Sequence, residues 1–155
     1  TTAAHANEQT EVQIQQDLKA AGIDVEIKNY ISSTMFAQNG PLYTGKYDLE
    51  WSIDTNGADP DNEGSWSGKF IPPHGTNTNW LNDPEINRLS HAAVLTYDRA
   101  QRKALYQQEE ERLHALVPAV FAYWSNQYNA WNSDLKNYKP APFIANNWNS
   151  WQWEI

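Results

Sequence analysis

The stretch QDLKAAGIDVE, residues 16–26, joins a helical pattern to an extended one. Apolar residues recur at near-helical spacing among polar ones in the first part of the chain: Val12, Ile14, Leu18 and Ala21. Gly22 follows, where a helix commonly ends in a left-handed residue. Residues 24–28 then alternate polar and apolar, the period of a strand with one buried face. The pattern predicts a helix over 7–21 packed on the strand that it feeds, a unit typical of α/β folds.

Two further helices are indicated by their N-terminal residues. Asp83 precedes a proline and predicts a helix that runs to about Leu95, with three residues facing inward: Ile86, Leu89 and Ala93. Asp98 predicts a longer helix that Pro118 stops. Its apolar stripe is expected to consist of Ala104, Leu105, Leu113 and Leu116.

The remaining patterns are shorter. Residues 32–46 predict a short helix followed by a loop, and residues 47–53 predict a second strand with alternating apolar side chains. Residues 119–124 are apolar and then aromatic between Pro118 and Asn126, which predicts a buried strand. Together the elements predict an α/β fold, a mixed sheet flanked by helices.

Composition excludes several functions. The 155 residues carry a net charge of −8 and form no basic stripe, so binding to nucleic acid is not expected. The chain has no Cys, which excludes disulfides, thiolate metal sites and Cys nucleophiles. Residues 1–20 lack the features of a signal peptide. Sixteen Asn and eight Trp supply the amides and broad rings used to recognise polar ligands, although Asn also fills turns and Trp also fills cores.

A series of short segments stands in a distinctive order along the chain. The segments are 16–26 (QDLKAAGIDVE), 45–49 (GKYDL), 51–54 (WSID), 59–62 (DPDN), 79–86 (NWLNDPEI), 102–109 (RKALYQQE) and 117–120 (VPAV). This order resembles that of the family 5 extracellular solute-binding proteins, the receptors of ABC importers for oligopeptides, dipeptides, nickel and oligosaccharides. The resemblance extends over most of the chain.

The resemblance implies one lobe of a type II periplasmic binding protein. Residues 1–134 would be the C-terminal lobe, lacking its first strand, and residues 135–155 a tail that contacts an absent N-terminal lobe. The tryptophans of that tail, Trp148, Trp151 and Trp153, are expected to face the absent lobe. The implied location is periplasmic or extracellular, membrane-associated through the transporter, so the lack of a signal peptide here is no argument against export.

The resemblance also implies where a ligand would bind. In peptide-binding members a Trp lies beside the ligand and an Asp three residues later holds its α-ammonium, positions that Trp51 and Asp54 match. Asn77, Asn79 and Trp80 correspond to a stretch that passes along the cleft, and Asn79 and Trp80 are the stronger candidates. His74, in the loop after Pro72 and Pro73, is a further candidate. Trp66, Trp124 and Tyr128 could also stack on a ligand.

Two other kinds of site are not favoured. The loop from Asp54 has oxygen-bearing residues at alternating positions, but Asp59 and Ser65 occupy the sixth and twelfth positions, where a calcium loop needs Gly and Glu. Asp59-Pro60-Asp61 therefore indicates a turn and a helix start. The four histidines lack zinc spacing, so no metal site is predicted and the nickel-binding branch is not favoured.

The sequence thus predicts a binding protein without a cofactor rather than an enzyme. A glycosidase would need carboxylates on opposite sides of the sugar, whereas Asp54, Asp59 and Asp61 share one loop. The expected function is capture of oligopeptides or dipeptides between two lobes for transporter permease subunits. The alternatives are a receptor for β-linked oligosaccharides and a stand-alone carbohydrate-binding module. Exposed aromatic surfaces would also permit self-association.

Overall fold

The computed structural model describes residues 1, 3, 5–52, 57–124, 126, 128–141 and 146–155, without the side chains of residues 5 and 6. Its α-helices are α1 (His5–Ala20), α2 (Ser32–Met35), α3 (Pro41–Thr44), α4 (Glu63–Trp66), α5 (Pro84–Leu95) and α6 (Arg99–Leu116). Two 3₁₀ turns cover Gly68–Phe70 and Ser150–Gln152.

The end of α1 confirms the helix predicted around residues 7–21. Gly22 has a left-handed φ of 85°. The Ile23 N–H donates to Leu18 O at 2.9 Å and the Gly22 N–H to Lys19 O at 3.0 Å, the paired bonds of a Schellman motif. A residue with a Cβ would be strained at this φ, so glycine is what lets the chain turn away from the helix.

The most extensive contact between helices joins α5 and α6. The Asp83 side chain accepts hydrogen bonds from the backbone N–H groups of Glu85 and Ile86, each at 3.1 Å, and so caps α5. The same carboxylate accepts from Arg112 of α6 at 2.6 and 3.2 Å. This bidentate pairing with Arg112 holds the pKa of Asp83 below its usual range. One side chain therefore both starts α5 and fixes it to α6.

The inward face of α5 is the predicted one, but that of α6 is not. Ile86, Leu89 and Ala93 are buried, as expected. On α6 the buried residues are Tyr106 and Glu109, whereas the predicted stripe is half-buried at best and Ala104 is exposed. The predicted stripe rests on apolar residues alone. In this helix the phenol of Tyr106 and the carboxyl of Glu109 are the buried groups instead. Met35 and Leu42 complete the buried apolar core.

The predicted mixed sheet is wrong. In the part of the chain that the structure describes, residues 24–28, 47–52 and 119–124 form no strand, and the Lys136–Glu154 bridge is isolated. Alternating side chains fit a strand only if another strand accepts its backbone hydrogen bonds, and these segments have no such neighbour among the described residues. The described fold is therefore helical, which corrects the α/β assignment and the type II lobe that the resemblance implies.

Many large apolar side chains of the described residues are in contact with water. The chain exposes 11577 Å², whereas a compact monomer of 17.8 kDa exposes about 8,000 Å². Exposed large side chains are concentrated after α6: Val120, Phe121, Tyr123, Trp124 and Tyr128. Among the described helices none has the length and apolar character that crossing a membrane requires.

Truncation of the α5 face tests this account of the core. Leu89→Ala should lower the free energy of unfolding by about 3 kcal/mol, because a fully buried leucine leaves a cavity. Leu95→Ala, on the same helix but at a residue that is 64% exposed, should cost less than about 1 kcal/mol. Urea unfolding of both variants measures the difference, and equal losses would contradict the assignment of the buried face.

Candidate functional site

Of the predicted ligand residues Trp51 and Asp54, the structure describes only Trp51. Asp54 lies in residues 53–56, outside the described part of the chain. Trp51 is half-buried, and its ring centroid lies 6.3 Å from that of Tyr123 with a tilt of 42° between the planes. The Thr1 hydroxyl donates to Trp51 O at 2.6 Å, which ties the backbone at this point to the first residue of the chain. Trp51 is thus held in place with part of its ring accessible.

Trp80 is fixed against the segment that precedes Trp51. Its φ of 56° is left-handed, and its indole ring lies over Gly45, where an added Cβ would be 3.1 Å from the ring. The Tyr47 hydroxyl donates to Thr78 O, two residues before Trp80 in the chain. The Trp80 side chain nevertheless remains 40% exposed. The structure therefore brings Trp80 and the 45–52 segment together.

Asn79 and His74 lie in the same loop with different surroundings. Asn79 is exposed, and its side-chain amide donates to Ser65 O of α4 at 3.4 Å. His74 is also exposed, and its backbone N–H donates to Ile71 O at 3.0 Å. Among the described residues the His74 side chain makes no hydrogen bond or ion pair, so the structure does not join it to the other candidates.

Asn77 has a structural position rather than the cleft position that the resemblance implied. Its side chain is fully buried and its amide donates to Ser67 O at 3.0 Å and to Leu81 O at 2.8 Å. These two bonds close the loop that carries Asn79 and Trp80. The Thr76 hydroxyl adds a bond to Gly64 O of α4 at 3.2 Å. Residue type alone could not separate Asn77 from Asn79, because the difference lies in burial.

The aromatic residues of the predicted buried strand lie on the surface. Phe121 is 79% exposed and approaches Trp66 of α4 edge-on, with centroids 6.4 Å apart. Tyr123, two residues later, lies against Trp51. We call the four residues Trp51, Trp66, Phe121 and Tyr123 the aromatic strip. The alternation of Phe121 and Tyr123 was the available signal, since residues two apart in an extended segment share a face.

The turn after the candidate Asp54 is attached to α6. The Arg102 guanidinium donates to both carboxylate oxygens of Asp59, at 2.6 and 2.9 Å, and holds the pKa of Asp59 below its usual range. Asp59 accepts from the Asp61 N–H at 3.0 Å, and Asp61 accepts from the Glu63 N–H at 3.1 Å. The prediction of a turn and a helix start at this point is confirmed, because α4 begins at Glu63.

A carboxylate and an imidazole meet beside this turn. Glu63 is buried, and one of its carboxylate oxygens lies 3.1 Å from Nδ1 of His91 on α5. Both residues line a hollow of about 490 Å³ together with Lys69 and Arg88. In the described part of the chain no group of three or more Asp, Glu, His or Cys residues is arranged to hold a metal ion.

The C-terminal tryptophans make local contacts. Trp153 and Trp131 both pack on Tyr138, with centroids 5.6 and 4.7 Å away. Trp153 Nε1 donates to the buried Asn149 at 3.1 Å, and Asn149 donates to Asn137 O at 2.6 Å. These contacts give the tail a small aromatic cluster of its own. The expectations of a tail at 135–155 and of contacts with an absent lobe stay predictions.

Comparison with known proteins gives no independent assignment. No protein-family model matches this chain, and neither the curated proteins nor the solved structures contain a match to it.

The two asparagines of the loop should respond differently to truncation. Asn77→Ala removes two buried hydrogen bonds and should lower the free energy of unfolding by about 2 kcal/mol. Asn79→Ala removes one long, exposed bond and should cost less than about 0.5 kcal/mol. Thermal and urea unfolding provide the comparison. A larger loss for Asn79→Ala would contradict the structural role given to Asn77.

Proposed function

We propose that the chain is a solute-binding component of an ABC importer and captures oligopeptides or dipeptides. The observation that supports the proposal is the aromatic strip, which includes Trp51, the Trp that the family resemblance would put beside a ligand. Trp51 belongs to the WSID segment, and its neighbour Tyr123 is largely exposed. The proposal rests on these residues and on the order of the sequence motifs, and it requires no particular sheet.

The strip offers a chemically suitable surface for a peptide. Exposed rings of Phe121 and Tyr123 can cover apolar side chains without specifying them, as a receptor for varied peptides requires. A carboxylate at Asp54, three residues after Trp51, would pair with the peptide α-ammonium. The net charge of −8 also favours approach of a cationic ligand terminus.

A receptor for β-linked oligosaccharides is the second candidate. Tryptophan faces stack on sugar rings, and amide side chains hydrogen-bond to hydroxyl groups. Trp80 is partly exposed and adjoins the exposed amide of Asn79, which is the observation that favours this reading. A stand-alone carbohydrate-binding module is less favoured, because those are usually β-sandwiches and the described residues form helices.

The proposal includes binding partners and a location. A second, N-terminal lobe would close over the ligand, and transporter permease subunits would receive it at a periplasmic or extracellular membrane surface. The large exposed apolar area supports a further covering partner, and self-association of the chain is another way to cover it. We propose binding rather than catalysis, with no cofactor and no resident metal.

Titration of the ¹⁵N-labelled chain tests the proposal with candidate ligands at millimolar concentration. Of the eight tryptophan indole N–H signals, those of Trp51 and Trp66 report on the strip. Trp51→Phe and Trp80→Phe variants assign the signal of Trp51 and that of Trp80 in the candidate loop. Di- and tripeptides should shift the Trp51 signal. Asp54→Asn should weaken peptide binding at least tenfold, because an ammonium partner would be lost, and ten-fold corresponds to about 1.4 kcal/mol.

Asp48→Asn is the matched control, since it removes an exposed carboxylate from the same segment and should leave peptide affinity unchanged. A response to β-linked oligosaccharides alone, insensitive to Asp54→Asn, would replace the peptide assignment by the second candidate. Nickel chloride serves as a third ligand class. If no ligand class moves any indole signal, the proposed function fails.

A further inference from the structure

Glu109 is a buried acid without a hydrogen-bond partner. Its side chain on α6 is only 1% exposed, and neither carboxylate oxygen is hydrogen-bonded in the described structure. Burial of an unpaired carboxylate is unfavourable when it is ionised, whereas the protonated acid can donate a hydrogen bond. Neither the candidate ligand site nor the α5–α6 contact accounts for an acid at this position.

Asn62, the residue that precedes α4, is near enough to Glu109 for its amide to lower the pKa of that carboxyl. Asn62 Oδ1 is also buried and has no hydrogen-bond partner among the described residues. An amide can present either its NH₂ group to a carboxylate or its oxygen to a protonated carboxyl. The second arrangement satisfies Asn62 Oδ1 and a Glu109 O–H with one bond. The amide NH₂ group, by contrast, favours the ionised carboxylate, so burial and the neighbouring charges select the protonated pair.

The surrounding charges favour the same protonated state. Three neighbouring carboxylates repel a negative charge on Glu109. They belong to Glu110 of the same helix, Asp61 of the turn and Glu63 of α4. His91 of α5 reaches Glu63 rather than Glu109. The two guanidinium groups of α6 with known partners are directed elsewhere, because Arg102 pairs with Asp59 and Arg112 pairs with Asp83. Burial, followed by these carboxylates, raises the pKa of Glu109 to about 7, although the Asn62 amide opposes the rise.

We propose that Glu109 is an acid-sensitive latch, which holds the 59–62 turn before α4 against α6 when protonated and loosens it when ionised. The outer end of this contact, the Arg102–Asp59 ion pair, keeps its charges across the neutral range, so Glu109 is the member that switches. The latch stands independently of the proposed function.

Hydrogen bonds connect α4 to the candidate loop, which carries Asn79 and Trp80. Gly64 and Ser65 of α4 accept hydrogen bonds from Thr76 and Asn79. Loosening of α4 would therefore release one side of the loop that presents Asn79 and Trp80. It would also free Trp66, whose ring borders Phe121.

The sign of the pH effect follows from the direction of the shift. The pKa of Glu109 is higher in the folded chain, about 7, than its usual value of 4.5, so the folded state binds this proton more tightly. Its stabilising effect is complete at low pH and is lost as the pH rises from about 4.5 to about 7. The unfolding equilibrium constant should increase by roughly 70-fold between pH 5 and pH 8 from this group alone.

Equilibrium unfolding across pH 5 to 8 tests the latch with two variants. Glu109→Gln keeps the shape without the charge and should abolish most of this increase, with greater stability than the unmodified chain at pH 8. Glu110→Gln, at the exposed neighbouring position, should preserve it. An unchanged pH dependence in Glu109→Gln, or equal effects of both variants, would overturn the proposal.

A second measurement needs no stable variant. Carbon-detected NMR titration of the glutamate carboxyls should show one group with a midpoint near pH 7. The backbone amides of α4 should shift with the same midpoint. A midpoint for every glutamate below pH 5.5, or α4 amides that do not follow the titration, would also overturn the latch.

Discussion

The packing of α5 against α6 is the contact on which the rest of the described structure depends. Asp83 caps the first helix and pairs with Arg112 of the second, so the start of α5 and its position on α6 are fixed together. Leu89 and Ile86 of α5 are then the largest fully buried apolar side chains of the described core. α4 packs on α5, and the turn before it is joined to α6 through Arg102. A weakened helix pair would therefore also displace the turn and α4.

The candidate site is built around this pair rather than within it. Asn77 closes the loop that presents Asn79 and Trp80, and hydrogen bonds to α4 orient that loop. The aromatic strip extends from α4 to the segment after α6, where little else covers it. The proposed capture of a ligand, followed by closure of a partner, would use this exposed aromatic surface and its helical support. The same arrangement places Glu109 near the turn before α4, the helix to which the loop is hydrogen-bonded.

Features that depend on residues close in sequence, such as the helix ends, are predicted correctly. Features that depend on distant residues, such as strand pairing and burial, are not. Gly22, Asp83 and Asp98 mark helix ends through bonds to residues a few positions away, so their roles could be predicted from the sequence. The strand predictions failed because alternation fixes the faces of a segment but not the partner that must pair with it. The burial of Glu109 is not predicted, because charged residues are expected on the surface. The contact between Trp51 and Tyr123 is not predicted either, because these residues are far apart in sequence. Asp54 remains a prediction from the motif alone.

Native-state hydrogen exchange tests the central claim most directly, because it ranks each backbone amide by the free energy needed to expose it. The amides of Leu89, Ser90 and Ala93 in α5 should exchange most slowly, through near-global unfolding. Those of residues 47–52 and 119–124 should exchange almost as fast as in a free peptide, since the described structure gives them no ladder partner. Protection of residues 119–124 equal to that of α5 would contradict the account, because it would require a sheet that pairs these segments.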